Sequence, residues 1–445
     1  MPINRRDFVR LGTIALAASA AAKTTLLDPS ALWAQESPGA EIRFASIGMG
    51  VRGCEVMRAA LQNKGVCVGI SDLYDGRQRL GREFVPNAIV TPNYAELLDR
   101  KNIDAIFVAV PDHLHRRVVV DACAAGKDVY CEKPMSHNVD DGFAMVAAAQ
   151  KHGRMMQVGS QRVSSVAYIK AREIYSSGRL GEVFAIQAHS DRNSPSGAWV
   201  YPIPADANEK TIRWEGFNQD AKPHAYDPVR FFRWRCFKDY GEGLAGDLFV
   251  HLLSGIQFIT NTTTPPLKAH SAGGLFHFKD GRDFPDLIQT IYEYPKFQAY
   301  VRCNLNNEAG EAIVFYGNKG TMTVSGNSVT FKPQDTTPHP EGYSIQGWPT
   351  DQRTQYLAQW SAEHPQPAPL TQSTELQTEI YQAPEGYNDT VDHVASFFRS
   401  VRTRTRPVEN EEFGNSAAIA CHMANASYFD KSVAAWDEAA KKIKT

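Results

Sequence analysis

Three side chains in this chain have the chemistry to move a proton to or from an alcohol. Lys133 stands between a glutamate and a proline, and Asp247 and His251 end a glycine-rich stretch. An ammonium group can stabilise a hydroxyl as it becomes an alkoxide. A carboxylate four residues before an imidazole, on one face of a helix, can orient the imidazole and raise its basicity. Each motif alone is also typical of ordinary structure, namely a solvated Lys-Pro turn and a capping aspartate beside a core histidine.

A second chemical feature is the glycine sequence Gly48-Met49-Gly50-Val51-Arg52-Gly53. It follows an apolar stretch, precedes a predicted helix, and is followed 19 residues after Gly53 by Asp72. Glycines at this spacing allow a tight turn, a close approach of a pyrophosphate, and packing of helix on strand. Asp72 can accept hydrogen bonds from ribose hydroxyls and would repel a 2′-phosphate. The motif predicts a dinucleotide site that favours NAD over NADP, although Arg77 and Arg79 are near enough to weaken that preference.

These motifs need an alternating series of strands and helices to position them. Strands are predicted at 41–47, 66–71, 105–110, 128–131 and 155–158, and helices at 54–62, 95–100, 117–125 and 141–152. This alternation predicts a parallel sheet wound on both faces over residues 40–160. Asp72 and Lys133 then follow strand ends, where ligands meet such a sheet.

Residues 161–445 show a different pattern, which predicts a second, α+β domain. Residues 162–177 are predicted to be helical, 182–190 to form a strand, and 193–229 to form a long aromatic loop. Residues 267–332 alternate between apolar and polar side chains, as antiparallel strands do. The segment 333–386 is rich in Pro, Gln and Thr and is predicted to wrap the surface, and helices are expected at 388–401 and 416–429.

The composition excludes some classes of protein. A net charge of -2 and a pI near 6.7 argue against nucleic-acid binding, which usually requires a basic excess. The seven cysteines are odd in number and show no paired spacing, so we expect free, mostly buried thiols. No later segment looks like a membrane span, so we do not expect an integral membrane protein.

The amino terminus carries a twin arginine, Arg5-Arg6, before a weakly apolar stretch that ends at Ala22. That stretch is too short to span a membrane, for which about 20 apolar residues are needed. We predict a twin-arginine signal peptide over residues 1–34, cleaved after Ala34 or after Ala22, and export by that machinery to the periplasm. The alternative is a basic leader that is never cleaved. Because free nicotinamide cofactors stay in the cytoplasm, an exported enzyme must hold its cofactor tightly and restore it in each catalytic cycle.

Taken together, these motifs resemble the Gfo/Idh/MocA (glucose-fructose oxidoreductase/inositol dehydrogenase) family in order and rough spacing. The resemblance implies an NAD-binding Rossmann domain over 40–160 and a substrate-binding domain over 161–445. The second domain is built on an open, mostly antiparallel sheet that commonly makes a homo-oligomer. It also implies that Lys133, Asp247 and His251 are the catalytic residues, and that the substrate is a sugar, inositol or related polyol. One departure is Ser254, where relatives often carry an acid, so substrate contacts at that position do not carry over.

The predicted site residues fall into two sets. The cofactor-binding set is Gly48, Met49, Gly50, Val51, Arg52, Gly53, Asp72, Pro111, His113, His115, Glu132, Lys133 and Gln161. The candidate substrate-binding set is Arg162, Trp199, Trp234 and Arg235, for each of which simple packing or a structural ion pair is the alternative. Arg192, like Arg162 and Arg235, could donate to substrate hydroxyls or carboxylates, with a structural ion pair as the alternative. His113 and His115 have no third ligand at a recognisable spacing, so no metal site is predicted.

These expectations favour one function and leave two alternatives. The favoured function is NAD-dependent hydride transfer on a sugar or sugar derivative, with the cofactor recycled within the cycle. The first alternative is an NAD-dependent glycosidase that transiently oxidises the sugar, eliminates the anomeric substituent and returns the hydride. The second is a non-catalytic sugar-binding protein that keeps only the fold.

Overall fold

A computed structural model of the chain describes residues 23–29, 41–365 and 376–445. The twin arginine and the apolar stretch up to Ala22 lie outside the described residues. The described part begins with a short strand, β1 (Lys23–Leu26), which joins the edge of the second sheet described below. This strand falls inside the segment predicted as a signal peptide.

The first sheet is parallel throughout and has six strands. They are β2 (Arg43–Ile47), β3 (Val66–Ser71), β4 (Ile89–Thr91), β5 (Ala105–Val108), β6 (Asp128–Cys131) and β7 (Met156–Val158). Their order across the sheet is β4-β3-β2-β5-β6-β7, with every neighbouring pair parallel. The order reverses at β2, so the crevice for a ligand lies at the carboxyl ends of β2 and β5.

Helices connect these strands and cover both faces of the sheet. They are α1 (Val51–Gln62), α2 (Asp75–Phe84), α3 (Ala95–Leu98), α4 (Asp112–Ala124) and α5 (Val139–Lys151). The sequence analysis missed α2 and β4, because α2 is so rich in charge that little apolar periodicity marks it. It also started α4 five residues late (at 117 rather than 112), since the Pro111 turn was not recognised as a helix start.

The second sheet has eleven strands and is mostly antiparallel, as predicted. Its members in the middle of the chain are β8 (Val183–Asp191), β9 (Lys268–Gly274), β10 (Leu287–Glu293), β11 (Gln298–Asn304), β12 (Gly310–Gly317), β13 (Gly320–Ser325) and β14 (Ser328–Pro333). Later members are β15 (Glu379–Gln382), β16 (Ala434–Asp437) and β17 (Lys442–Lys444). Strand β8 lies in the centre, parallel to β11 and antiparallel to β12, while β1 pairs in parallel with β15.

The remaining helices cover the second sheet and tie it to the first. They are α6 (Val166–Ser176), the short α7 (Trp214–Phe217) and α8 (Pro228–Phe232), α9 (Val250–Thr260), α10 (Thr350–Glu363), α11 (Asp389–Thr403) and α12 (Glu411–Asp430). Helix α10 lies in the segment predicted to wrap the surface without regular structure, and none of its residues is buried.

The two predicted domains share their apolar cores. Phe397 and Phe398 of α11 belong to the same buried cluster as Phe44 and Phe107 of the parallel sheet. Ala418 of α12 belongs to the cluster on the other face of that sheet. The carboxyl-terminal helices therefore cover the nucleotide-binding sheet as well as their own, and this packing fixes the two halves against each other.

Two further expectations concern cysteines and membrane spans. All seven cysteines are free and buried, as predicted. In the part of the chain that the structure describes, no helix has the length and apolar character to cross a membrane.

Candidate functional site

Two adjoining cavities open at the carboxyl edge of the parallel sheet. The smaller, of about 210 Å³, is lined by Gly48, Asp72 and Phe217, among others. The larger, of about 570 Å³, is lined by Lys133, Asp247 and His251. Both are lined by Arg77 and by residues 109–111, so they form one continuous groove.

The strand ends bring most of the predicted cofactor residues to this groove. Gly48 follows β2, Asp72 follows β3, and Glu132 and Lys133 follow β6. Of the predicted set, the groove is lined by Gly48, Gly50, Val51, Arg52, Asp72, Pro111, Glu132, Lys133 and Gln161. Met49 and Gly53 lie behind it and serve the turn itself.

The glycine turn has the geometry that a pyrophosphate requires. Gly48 has a φ of +94°, and a Cβ there would lie 2.4 Å from the main-chain oxygen of Ala109. A Cβ on Gly53 would lie 2.1 Å from the oxygen of Gly48, so only glycine lets α1 pack this closely. At Gly50, by contrast, a Cβ would meet nothing closer than Arg77 at 3.9 Å. Gly48 and Gly53 are thus packed against main-chain atoms, whereas Gly50 faces the groove. Helix α1 begins at this groove, and no side chain caps its first turn.

Asp72 is held in place by the turn that it faces. One carboxylate oxygen accepts the N–H of Met49 at 2.7 Å, and the other accepts the N–H of Tyr74 at 2.9 Å. Arg77 lies 3.9 Å from the same carboxylate, whereas the exposed Arg79 pairs with Asp206. Only Arg77 of the two arginines therefore faces the place where a ribose would bind.

Arg52 joins the cofactor set through a buried polar network. Its guanidinium donates to Glu132 at 2.8 Å, to Gln161 at 3.2 Å and to Thr390 at 3.3 Å. This network connects the glycine turn to the strand end that carries Lys133. It also explains why Gln161, beyond the last parallel strand, belongs to the site.

The two histidines of the predicted cofactor set do not reach the groove. His113 donates from Nε2 to the main-chain oxygen of Phe217 at 2.7 Å. The ring nitrogens of His115 lie 2.9 Å from the oxygen of Pro134 and 3.0 Å from that of Val110. Burial lowers the pKa of both histidines to about 4, so both are neutral. Their predicted contact with the cofactor is wrong, because both rings are hydrogen-bonded to buried main-chain carbonyls instead.

Lys133 and Asp247 form the centre of the larger cavity. Lys133 Nζ donates to the carboxylate Oδ1 and to the main-chain oxygen of Asp247, both at 2.8 Å. The carboxylate also accepts Arg235 Nε at 2.9 Å and the indole N–H of Trp199 at 3.1 Å. Burial acts to raise the pKa of Asp247, but the charges of Lys133 and Arg235 hold it well below its usual range. Asp247 is therefore ionised and fixes the ammonium of Lys133.

The main chain around Asp247 and Trp199 is shaped for this contact. A Cβ on Gly246 would lie 2.2 Å from the Cβ of Glu242 and 3.2 Å from the Cγ of Pro134, so glycine lets the main chain approach both residues. That peptide bond is cis. Trp199 has a φ of +60°, a left-handed conformation that is rare for a bulky residue and costs about 1–3 kcal/mol. The strained Trp199 aims its N–H at Asp247.

His251 lines the same cavity but does not pair with Asp247. Residues 245–249 form a π-helical turn before α9, so the four-residue spacing no longer places the two side chains together. Burial and the nearby charges of Lys133 and Arg162 hold the pKa of His251 well below its usual value. The charge of Asp247 acts to raise the pKa of this imidazole, as expected, but burial and the two cations outweigh it. Nδ1 is buried and has no hydrogen-bond partner among the described residues, a feature of sites that receive a ligand.

The structure places three of the four candidate substrate residues in the larger cavity. Trp199, Trp234 and Arg235 line the larger cavity, and the guanidinium of Arg235 stacks 4.2 Å above the Trp234 ring. Arg162 does not line it, because its guanidinium pairs with Asp389 at 3.2 Å and Glu311 at 3.4 Å. The prediction that Arg162 contacts the substrate is wrong, because Arg162 forms the structural ion pair that was the alternative. Ser254 is also buried away from the cavity, with its hydroxyl donating to the oxygen of His251.

The sequence analysis assigned no role to Asp112 and named Arg192 as a possible donor to the substrate. Both line the larger cavity. Asp112 begins α4 and accepts the N–H of Glu242 at 3.2 Å. Burial, together with the charge of Asp247, raises the pKa of Asp112 well above its usual value against the effect of Arg235. The proximity of Asp112 to the Pro111 turn could have indicated it, because residues that follow a parallel strand end meet the ligand.

No group of metal-ligating side chains is present among the residues that the structure describes. This site contains cations paired with carboxylates beside a dinucleotide groove. Fold and site together define a Rossmann-type dinucleotide-binding domain joined to a second, mostly antiparallel sheet.

Comparison with known proteins agrees with this class. Residues 42–160 match the oxidoreductase family with an NAD-binding Rossmann fold, GFO_IDH_MocA. This segment is therefore similar to the NAD-binding part of the Gfo/Idh/MocA oxidoreductases.

Two curated relatives and one solved structure illustrate the similarity. Inositol 2-dehydrogenase of Gluconacetobacter diazotrophicus is 31% identical over 146 residues, which cover 32% of this chain and 43% of the relative. The 2,7-anhydro-N-acetylneuraminate hydratase of Mediterraneibacter gnavus is 27% identical over 189 residues, 42% of this chain and 46% of the relative. The chain thus spans less than half the length of either. Levoglucosan dehydrogenase in complex with NADH and levoglucosan shares the fold over 88% of this chain and 99% of its own, with a TM-score of 0.63 and 15% identity.

Proposed function

We propose that this protein is an NAD-dependent oxidoreductase that transfers hydride to or from a sugar or sugar derivative. The observation that carries the proposal is the ammonium of Lys133, held by Asp247 at 2.8 Å beside a dinucleotide groove. The relatives named above, an inositol dehydrogenase and an anhydro-sugar hydratase, act on polyols and sugars by their names. Trp199 and Trp234 offer the cavity apolar ring faces, which suit the C–H faces of a sugar.

The residues of the cavity can carry out the proton part of this reaction. The ammonium of Lys133 can donate a hydrogen bond to a substrate hydroxyl and stabilise the oxygen as its negative charge develops. His251, neutral because of its lowered pKa, can accept the proton. Asp247 orients Lys133 and keeps it charged. A bound NAD supplies the hydride acceptor, and the glycine turn, Asp72 and Arg52 are the residues that would hold it.

NAD fits the ribose end of the groove better than NADP does. The carboxylate of Asp72 is buried and is fixed by two main-chain N–H groups. A 2′-phosphate placed beside it would meet a fixed negative charge. Arg77 is the cation that faces Asp72 at this end of the groove, and its guanidinium lies between Asp72 and the rings of Phe231 and Phe232.

Tight retention of the cofactor is supported by the loop that follows β8. This loop crosses to the nucleotide-binding half, where Arg213 pairs with Asp75 at 2.8 Å, Asp220 pairs with Arg117, and Tyr74 bonds to Asp206. Phe217 and Gln219 of the loop line the smaller cavity opposite Asp72. A nucleotide enclosed in this way leaves only when the loop opens. Retention agrees with export to the periplasm by the twin-arginine route, which we also propose.

A cofactor that stays bound must be restored in each cycle, either by a second sugar or within one redox-neutral reaction. The second candidate function is therefore glycoside cleavage by transient oxidation and elimination. The observation that favours it is the resemblance to a hydratase, whose name denotes no net oxidation. Direct cleavage of a glycoside needs two free carboxyl groups across the bond, whereas the carboxylate of Asp247 is bound to Lys133 and Arg235.

We also propose that the second sheet makes a homo-oligomer. Ile291 is 46% exposed on this sheet, in register with Tyr300 of the neighbouring strand. Light scattering on the purified protein tests this, and Ile291→Glu is expected to yield a smaller species. An unchanged mass for the variant would contradict it.

The central experiment examines the purified exported form. Heat-released nucleotide is identified by mass spectrometry, and a panel of sugars is tested for reduction of the bound cofactor by absorbance. Lys133→Met is expected to retain nucleotide but lose reduction, while the same change at the exposed Lys101 leaves it intact. A folded protein without nucleotide, or an active Lys133→Met variant, would contradict the proposal. Release of the aglycone from a chromogenic glycoside without net reduction identifies the second candidate.

A further inference from the structure

Arg192 is a cation in the wall of the larger cavity that no part of the proposed chemistry uses. It follows β8 directly and lines the cavity together with Lys133, Asp247 and His251. Its guanidinium forms no hydrogen bond and no ion pair with any residue that the structure describes. Arg52 and Arg235, in the same wall, are both engaged by carboxylates.

The main chain fixes the place of Arg192. The turn that follows it is closed by hydrogen bonds from Ala198 N to Ser194 O at 3.0 Å and from Val200 N to Pro195 O at 2.8 Å. A Cβ on Gly197 would lie 3.3 Å from both Cβ and Cδ of Arg192, so the stem of the arginine packs against this glycine. The same turn carries Trp199, which bonds to Asp247. Arg192 is therefore anchored beside the catalytic carboxylate rather than free on the surface.

The charges at this end of the cavity do not cancel. The single negative charge of Asp247 is shared by Lys133 and Arg235, and the carboxyl group of Asp112 accepts the N–H of Glu242. The other two carboxylates of the wall, Glu55 and Glu132, pair with Arg52 at the glycine turn. Arg192 adds a further positive charge close enough to act on Asp247. The part of the cavity that lies away from the glycine turn thus carries three cations, Lys133, Arg192 and Arg235, against two carboxyl groups, and neither carboxyl group pairs with Arg192.

We propose that the substrate is an acidic sugar, a monosaccharide that carries a carboxylate, and that Arg192 binds this carboxylate. The proposal rests on the proposed function, because it names the substrate class for the same cavity. The planar guanidinium presents a pair of N–H donors that matches a carboxylate, and such charge-assisted bonds are among the strongest in proteins. A neutral sugar would leave the guanidinium without a partner in a cavity that the ligand shields from water.

The test compares sugars that differ only in charge. D-glucuronate, D-galacturonate, D-gluconate and N-acetylneuraminate are each paired with the corresponding methyl ester. Binding to the exported holoprotein is measured by calorimetry, and reduction of the bound nucleotide by absorbance. The variants are Arg192→Gln and, as a matched control, Lys222→Gln, which removes one positive charge from the same loop at a side chain that is 84% exposed.

We expect at least one acid to bind about 10- to 100-fold more tightly than its ester, the range for one hydrogen-bonded ion pair. In Arg192→Gln, the affinities for acid and ester are expected to lie within about 3-fold of each other. In Lys222→Gln, and at low ionic strength, the preference for the acid is expected to persist. The proposal is overturned if a neutral sugar binds more tightly than every acid, or if none of the four acids binds. It is also overturned if the preference for acids survives in Arg192→Gln.

Failure of this proposal can be told from failure of the proposed function. If the acids bind in an Arg192-dependent manner but no sugar reduces the nucleotide, the carboxylate site is supported and the oxidoreductase activity is not. If a neutral sugar reduces the nucleotide while the acids do not bind, the oxidoreductase activity is supported and the acidic substrate class is overturned.

Discussion

Lys133 and Asp247 lie 114 positions apart in the sequence, yet Nζ of the lysine is 2.8 Å from two oxygens of the aspartate. Lys133 comes from the end of a parallel strand, and Asp247 from the turn before α9. Both side chains are largely buried, so the pair is shielded from water and its attraction is stronger than on the surface. The contact joins the two halves of the molecule at the point where a substrate hydroxyl would bind.

The first prediction concerns Asp247→Asn, which keeps the shape of the side chain but removes its charge. Lys133 and Arg235 then lose the anion that orients both of them, and we expect the rate of nucleotide reduction to fall about 100- to 10,000-fold, as for other losses of acid–base groups. Bound nucleotide is expected to stay. Rapid-mixing absorbance measures the rate, with the exposed Asp351→Asn as control. A variant with the native rate would show that Asp247 does not position Lys133.

The second prediction concerns the pH dependence of the reduction step. Burial and the charges of Lys133 and Arg162 lower the pKa of His251, while Asp247 acts in the opposite direction. A lowered pKa keeps the imidazole neutral, and able to accept a proton, as the pH falls through its usual value of 6.5. We therefore expect the acid limb of the pH–rate profile to lie below pH 6.5.

Arg162→Gln tests the assignment of this limb. It removes one cation and leaves Asp389 and Glu311 without their partner, so the pKa of His251 should rise and the limb should move to higher pH. The exposed Arg82→Gln is the control, and His251→Asn should abolish the limb. A limb that stays at the same pH in Arg162→Gln, or that survives in His251→Asn, would assign it to another group.

The third prediction concerns retention of the nucleotide by the loop after β8. Arg213 and Asp75 hold the loop to the nucleotide-binding half, and both side chains are partly exposed. An exposed ion pair contributes about 0.2–1 kcal/mol, so Arg213→Gln should speed nucleotide release by up to about 5-fold. Raising the ionic strength should speed release in the native protein and less so in the variant. Displacement of bound NAD by a fluorescent analogue measures the rate.

Lys101→Gln serves as the control, since Lys101 is exposed on the nucleotide-binding half and does not contact the loop. Equal release rates for Arg213→Gln and the native protein, at low and high salt alike, would mean that the loop does not control retention.

The sequence predicted the features of the site that depend on neighbours in the chain. Gly48, Gly50, Gly53 and Asp72 are recognisable because turn, helix start and strand end follow one another within a short segment. The parallel sheet and the antiparallel sheet were likewise predicted from local periodicity. These are properties of spacing, and spacing is visible in a sequence.

Features that depend on packing or on local irregularity were missed. Asp247 and His251 were paired on the assumption of a regular α-helix, but the π-helical turn over 245–249 changes the side-chain register. His113 and Arg162 looked like ligand groups until buried carbonyls and carboxylates from distant elements were found to satisfy them. Arg192 was recognised in the sequence as a possible donor to the substrate, but only the fold distinguishes it from Arg162, because Arg162 pairs with carboxylates and Arg192 has no such partner among the described residues.

The fourth prediction concerns stability in acid. Burial lowers the pKa of His393 from 6.5 to about 4. Its Nε2 donates to the oxygen of Val158 and its Nδ1 accepts from Ser164, so the neutral ring is fully hydrogen-bonded in a buried place that disfavours a second ring proton. The unfolded chain binds that proton first, and the free energy of unfolding should fall as the pH drops from 6.5 toward 4. Each such histidine contributes about 1.4 kcal/mol per pH unit in this window.

Thermal unfolding of the native protein, His393→Gln and the exposed His339→Gln checks this dependence. We expect His393→Gln to have a lower Tm at neutral pH and a shallower loss of Tm in acid. A slope as steep as that of the native protein would exclude His393 as a contributor.

The fifth prediction concerns the end of the mature chain. Strand β1 begins at Lys23, whose N–H donates to the oxygen of Thr378 at 3.0 Å, and the N–H of Leu27 donates to Gln382 at 2.8 Å. Cleavage after Ala34 would remove this strand and expose the edge of β15, whereas cleavage after Ala22 would keep it. We therefore expect the exported protein to begin at Lys23.

Mass spectrometry of the periplasmic protein distinguishes the two cleavage sites directly. Replacement of Arg5 and Arg6 by lysine should block export and leave the longer chain in the cytoplasm, which provides the control for correct processing. A protein purified without residues 23–29 should unfold at a modestly lower temperature, since β1 contributes main-chain hydrogen bonds but only exposed side chains. A mature chain that begins at Gln35 would contradict the prediction, and would mean that the edge of β15 is left open in the exported protein.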